Sequence, residues 1–248
     1  MPISLKTTAI VINSIQYGES DLIVTFLTEG HGLVKGFARG ALKSRKRFAG
    51  CFEPFTVIGL GFTQKESGGL ARVESADIIK PHYGIRADLD RIAAGAAMLE
   101  LVSTVEVAGG EGEAFGLLSA SLGMLENTDA PVDLGLAFIV KYLDISGFKV
   151  PHESCCRCGA GLKGKRAVYA GGEGLLCGTH GKEGAPVISP GTLAFIGKAE
   201  SIEAAMLGRL RLTGGSRREL LDFLKSYIHI VVGRKMKTLT GGLLSSSS

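Results

Sequence analysis

Leu22-Ile-Val-Thr-Phe-Leu-Thr-Glu-Gly-His-Gly-Leu-Val-Lys-Gly-Phe-Ala-Arg39 decides the fold. It has two β-rich runs, 22–28 and 33–39, on either side of Glu29-Gly-His-Gly32. Two such runs joined by a short glycine-containing turn read as a hairpin. Upstream, residues 7–15 are rich in β-branched side chains and read as a first strand, with turn chemistry at Tyr17-Gly-Glu-Ser-Asp21. Downstream, 55–62 and 70–78 supply a fourth and a fifth strand. Five strands within about seventy residues, with a long connection after the third, predict a small closed barrel of the OB type. An SH3-like barrel satisfies the same pattern, and an open meander is the plainer alternative.

The connection after the third strand begins a cationic stretch. Lys35, Arg39, Lys43, Arg45, Lys46 and Arg47 are basic, and no acid occurs between Glu29 and Glu53. The whole chain of 248 residues carries a formal charge of only +4, so the remainder is close to balanced. Concentrated positive charge suits an anionic partner such as a phosphate backbone, although charge runs also serve solubility. Phe37 and Phe48 lie among these cations. Both are candidates for stacking on bases or for barrel core, with core favoured for Phe37 on its strand.

After Pro81 the apolar period changes to that of helices, with segments at 85–107, 113–126 and 132–146. Helix returns at 189–198 and 203–207, and a last helix starts at Ser216 with Glu219 placed for a capping box. The domains expected are a barrel at 1–80, a helical domain at 81–150 and 187–240, an insertion at 151–186 and a frayed tail at 241–248. The fold class is α+β. The opening residues lack the pattern of a signal peptide and no apolar run reaches the length of a membrane span, so a cytoplasmic protein is expected.

The insertion holds four of the five cysteines. Cys155-Cys-Arg-Cys158-Gly and Cys177-Gly-Thr-His180-Gly are two knuckles of the form C-x2-(C/H)-G, with eighteen residues between them. That spacing predicts a zinc ribbon, with Cys155, Cys158, Cys177 and His180 holding one structural ion. Cys156 and His152 are alternative ligands. A segment this short has almost no core of its own, so the metal is expected to supply its folding energy. Cys51 stands alone and reads as a buried apolar side chain.

Nothing argues for an enzyme. There is no P-loop ending in Gly-Lys-Ser/Thr, no nucleophile elbow, and no His-x-Glu preceding a Pro-Cys-x-x-Cys of the deaminase type. Asp88 and Asp90 flank Leu89 and face different sides of a helix.

Taken in order, Tyr17-Gly-Glu-Ser-Asp21, Phe26-Leu-Thr28, Gly32-Leu-Val-Lys35, Phe37-Ala-Arg-Gly40, Ser44-Arg-Lys-Arg47, Pro54-Phe55 and Cys155-x-x-Cys158-Gly-Ala with Gly171-Gly172 ahead of Cys177 resemble the RecO family of bacterial recombination mediators. The resemblance spans nearly the whole chain. It implies a non-enzymatic protein of the RecF pathway of DNA repair, cytoplasmic and nucleoid-associated. Such a protein binds single- and double-stranded DNA and anneals complementary strands. With RecR, it helps load the RecA recombinase on DNA coated by single-strand-binding protein (SSB), whose acidic C-terminal tail it contacts. His180 departs from the family, which more often has Cys there, and some relatives lack the metal ligands. A second reading is a zinc-containing adaptor for protein partners, its acidic-tail groove flanked by cations such as Arg86, Arg91 or Lys141. A third is an RNA-binding barrel.

Overall fold

The computed structural model describes residues 2–44, 47–65, 68–107 and 110–240. Arg45, Lys46 and the expected tail at 241–248 lie outside them. Strands β1 (Pro2–Tyr17), β2 (Asp21–Thr28), β3 (Gly32–Ala38), β4 (Val57–Lys65) and β5 (Ala71–Lys80) close into a barrel in the order β1-β2-β3-β5-β4. The 16-residue β1 makes closure possible. Its residues 2–10 pair with β4 and residues 9–17 with β2, and the register shifts between Val11 and Asn13. A bulge there bends the strand from one partner to the other.

The last seam is the parallel pairing of β3 with β5 at Gly36↔Ala71 and Phe37↔Arg72. Gly36 faces the interior at this seam. A Cβ on it would stand 2.7 Å from Val73 Cγ2 and 3.1 Å from Phe26 Cε2, so glycine is what lets the walls meet.

Side chains alternate across the barrel wall. Ala9, Val11, Val24, Phe26, Val34, Ile58, Leu60, Phe62 and Val73 fill the inside. Phe48, Cys51 and Phe52 join them from the connection between β3 and β4, which therefore plugs the barrel. Ile10, Ile12, Leu27, Phe55 and Val57 belong instead to the larger core shared with the helices.

The helical domain comprises α1 (Tyr83–Arg86), α2 (Leu89–Thr104), α3 (Glu111–Leu125), α4 (Pro131–Ile145), α5 (Pro190–Ser201), α6 (Gly214–Val232) and α7 (Lys237–Thr240). The segment expected as one helix over 85–107 is broken at Asp88, whose extended backbone and side chain cap α2 by accepting from the Arg91 N–H. Helix α4 is buried at every position from Val132 to Val140, so it is the central rod and carries no single apolar stripe.

The junction with the barrel is rigid by construction. Phe55 adopts φ 72°, a left-handed conformation that costs a bulky residue energy, and its ring packs where a Cβ on Gly95 would meet it at 2.8 Å. Arg86 donates to the carbonyls of Pro54 (2.8 Å) and Pro81 (3.0 Å), and buried His82 meets Glu126 at 2.8 Å.

In the insertion, β6 (Ala167–Tyr169), β7 (Leu175–Leu176) and β8 (Val187–Ile188) form a small sheet in the order β7-β6-β8. Its third strand lies just beyond residue 186. The expectation of a nearly coreless module is corrected here. Leu162, Ala167, Tyr169, Leu175, Leu176 and Ile188 are buried as part of the helical core, and the Tyr169 ring sits edge-on to Phe223 of α6 at 4.7 Å.

The capping box is also corrected. Thr213 caps α6 by accepting from the Ser216 N–H, while Glu219 reaches across to the start of α5. The sequence pattern named the right residue type at the right spacing, but tertiary packing gave its carboxylate a different helix end.

Candidate nucleic-acid interface and metal centre

Alternation along β3 turns Val34, Gly36 and Ala38 inward, and therefore Lys35 and Phe37 outward. Arg39 follows directly. Lys35, Arg39, Lys43 and Arg47 are all exposed along this edge. The connection is fastened to the β1–β2 turn: the Gly40 N–H donates to Asp21 Oδ1 at 2.7 Å and the Leu42 N–H to the Ser20 carbonyl at 2.9 Å. Arg47 Nη2 donates to the Arg39 carbonyl at 2.8 Å, and its guanidinium lies 4.5 Å from the Phe48 ring centroid. Lys43 stands 4.0 Å from Glu19 with both side chains in solvent, where such a pair contributes little. Four of the six predicted cations thus share one fixed edge. Arg45 and Lys46 lie outside the described residues.

Of the two phenylalanines that could stack on bases or fill the barrel, the one favoured for core, Phe37, is outside, and Phe48 is core. Phe48 is only 2% exposed and plugs the barrel. Phe37 is outside, in a row set by register: Ile15 pairs with Ile23, Ile23 with Phe37, and Phe37 with Arg72. The neighbouring outward row is Asn13, Thr25 and Lys35. Between them, Val24, Gly36 and Ala71 are buried in the barrel. Tyr17, at the end of β1, meets Phe37 edge to face with ring centroids 5.9 Å apart. Ile15 and Tyr17 are each 59% exposed. Sequence reasoning missed Ile15, Tyr17 and Arg72, though the period of two along β1 carried the signal for the first two.

The three cations considered for an acidic-tail groove are engaged within the fold. Arg86 holds the junction carbonyls. Arg91 donates to the carbonyls of Gly84, Glu126 and Thr128, and Lys141 to that of Glu200 at 2.8 Å. A different groove, of about 490 Å³, runs along α5 between Pro190, Leu193 and Ala194, with His152, Glu153 and Lys163 at its side.

The two knuckles come together. One ligand atom from each of Cys155, Cys158, Cys177 and His180 lies within 4.8 Å of all the others. His180 Nδ1 is 3.3 Å from Cys177 Sγ and 3.8 Å from Cys155 Sγ, and Cys158 Sγ is 3.9 Å from Cys177 Sγ. Tetrahedral zinc, with bonds of about 2.0–2.3 Å, has ligand–ligand edges of about 3.5–3.8 Å, so three thiolates and an imidazole at these separations fit it. Main-chain hydrogen bonds from Cys177, and secondarily Cys158 and Arg157, outweigh burial and hold the Cys155 thiol down to about 6. A hydrogen bond to His180 lowers Cys177, and the same contact raises His180. A main-chain hydrogen bond from Ala160 lowers Cys158, but burial and the neighbouring Cys155 and Cys177 thiols outweigh it and leave that thiol raised. Two of the three thiols are thus held toward thiolate, the form that binds a cation.

The two knuckle glycines serve different ends. Gly159 takes φ 71°, as the turn requires. Gly181 has no positive φ; it is small because a Cβ would stand 2.6 Å from Val168 Cγ2. Neither alternative ligand competes. Cys156 Sγ lies over Gly174, and His152 Nδ1 faces the Val150 carbonyl at 3.1 Å and Glu200 at 3.6 Å. Among the described residues no helix is long and apolar enough to cross a membrane.

Comparison with known proteins covers both halves of this architecture. The family model described as Recombination protein O N terminal matches residues 1–82, and that described as Recombination protein O C terminal matches residues 86–240. The DNA repair protein RecO of Syntrophus aciditrophicus (strain SB) is 32% identical, with 94% of this chain and 93% of that one covered. The DNA repair protein RecO of Geobacter metallireducens (strain ATCC 53774 / DSM 7210 / GS-15) is 32% identical, with 95% and 96% covered. That of Anaeromyxobacter dehalogenans (strain 2CP-C) is also 32% identical, over 94% and 93%.

Proposed function

The chain belongs to the RecO family of DNA repair proteins, and from that premise we propose that it is a non-enzymatic recombination mediator whose barrel edge binds DNA. The observation that carries this reading is the fixed outward edge of Lys35, Arg39, Lys43 and Arg47, to which Arg45 and Lys46 belong in sequence. Each cation that meets a phosphate releases condensed counterions, so binding weakens steeply with salt. Annealing then needs no bond making. A cationic surface offsets the repulsion between two strands and raises their local concentration. Among the described residues no arrangement of side chains suited to reading base edges accompanies these cations, which favours low sequence specificity for single and double strands alike.

The partners in this reading are RecR, and SSB through its acidic tail, in the loading of RecA. The α5 groove, with Leu193 and Pro190 in its wall and Lys163 at its side, has the composition to take an apolar and acidic peptide. The four-ligand cluster holds one zinc as a structural ion, because four protein ligands leave no open position for chemistry.

The test is Lys35→Ala/Arg39→Ala/Arg47→Ala, with DNA binding measured across salt. Affinity should fall, and the slope of log K against log salt should shrink by about 0.7 for each phosphate of a single strand that is no longer neutralised. Unchanged affinity and slope would remove this edge from the site and leave the adaptor reading. Annealing with and without SSB, and RecA loading with and without RecR, test the mediator role itself.

A further inference from the structure

The outward face of β1, β2 and β3 carries Tyr17 and Phe37, the aromatic side chains of the barrel strands that are not buried in its interior. Ile15, Ile23 and Phe37 stand side by side in one cross-strand row, Tyr17 packs its edge against Phe37, and Arg72 ends the row. Lys35 is in the adjoining outward row and Arg39 follows Phe37 by two residues. Strands about 4.8 Å apart spread the row over about 14 Å. Ile15 and Tyr17 are exposed and Ile23 and Phe37 half-buried beside them. Such a patch is unfavourable unless something covers it, and Lys35 and Arg39 next to it select an anion. Of the acids nearby, Asp21 accepts from the Gly40 N–H, Glu74 lies 3.3 Å from Arg72, and exposed Glu19 faces Lys43 at 4.0 Å.

We infer that the Tyr17–Phe37 face is a stacking platform for unpaired bases, and that it makes the barrel let go of the duplex it helps to form. The inference rests on the barrel being the DNA-binding face and adds which state of DNA it holds. Every base has a π-face, so aromatic stacking is tolerant of sequence. In a duplex both faces of each base are covered by its neighbours, and only phosphates remain for the protein. A single strand therefore gains both the cations and the rings. Once two strands pair, the rings lose their bases while the phosphates stay in place. The product is held more weakly than the reactants, so base pairing drives annealing and the weaker hold lets the finished duplex leave, which gives turnover.

The experiment uses the full chain with Tyr17→Leu and Phe37→Leu, which keep the apolar packing and remove the π-face. The probes are an oligothymidylate, which cannot pair with itself, and a duplex of equal length. Each substitution should weaken oligothymidylate binding by about tenfold, leaving duplex affinity and both salt slopes unchanged. Equal losses on both probes, or no loss on either, overturn the inference. Lys35→Ala/Arg39→Ala separates this from failure of the DNA reading, since those changes should weaken both probes. A measurement on the unsubstituted protein guards against misfolded variants. The chain has five tyrosines and no tryptophan, so tyrosine emission is readable. It should be quenched by oligothymidylate and much less by duplex; equal quenching by the two would also overturn the inference.

Discussion

The Glu219 carboxylate of α6 accepts from the Ser189 N–H, at the first turn of α5, at 2.8 Å, and from the Thr192 hydroxyl at 2.8 Å. One acid thereby ties two helices that are separated by a 3-10 turn at Ala204–Arg209. Burial pushes its pKa up, but the hydrogen bonds from Ser189 and Thr192 outweigh burial and leave it below the ordinary 4.5. A depressed carboxyl contributes stability that is complete above its unfolded value and is lost as pH falls through its folded value. Glu219→Gln should cost about 1–2 kcal/mol at neutral pH in urea unfolding. The gap between parent and variant should narrow below about pH 4.5. A gap that stays constant with pH would rule out this linkage.

Asp133, 1% exposed on the central helix α4, is met by Arg217 Nε at 2.7 Å and by the Leu212 N–H at 3.0 Å. Removing the cation strands a buried charge. Arg217→Leu should therefore destabilise by about 3–5 kcal/mol, and Arg217→Leu/Asp133→Leu by less than the two single changes summed. Equilibrium unfolding of the three variants checks the coupling.

Closure of the barrel depends on the absence of a side chain at Gly36. Gly36→Ala should lose about 1–3 kcal/mol through overpacking against Val73. Val73→Ala in the same chain should return part of that loss, because it removes the Cγ2 that the new methyl meets. Thermal melting of the single and double variants decides; no recovery would place the strain elsewhere.

Metal analysis should give one zinc per chain, and Cys158→Ser should lower that occupancy. Chelation should loosen the knuckles while leaving the helices intact, because Leu162, Leu175 and Leu176 are packed in the helical core. Hydrogen exchange should rise around Cys155 and Cys177 and stay slow through α4. Collapse of the whole chain on chelation would contradict this division.

The strands, the helical period and the Cys/His cluster were legible because each is written locally: alternation, 3.6-residue spacing, and knuckles with a fixed interval. What escaped was the direction of particular side chains. Phe37 and Phe48 are the same residue in the same charged neighbourhood, yet one is outside and the other plugs the barrel. The difference comes from the pairing of Phe37 with Ile23 and from the return of the connection over the barrel end, neither of which is local. Glu219 met the pattern of a capping box and served another helix for the same reason. The module's core was missed because Phe223, which covers Tyr169, is more than fifty residues away in sequence.

Strand β1 pairs on both sides, so the barrel's strands are complete once residue 80 has been made. At that moment Ile10, Ile12, Leu27, Phe55 and Val57 form an apolar wall whose partners in α2 and α3 do not yet exist. During synthesis the first domain is therefore sticky on the side opposite to its interior. A nascent chain paused after β5 is the species most in need of a chaperone, and slow translation between β5 and α3 should lower the yield of protein more than slow translation elsewhere.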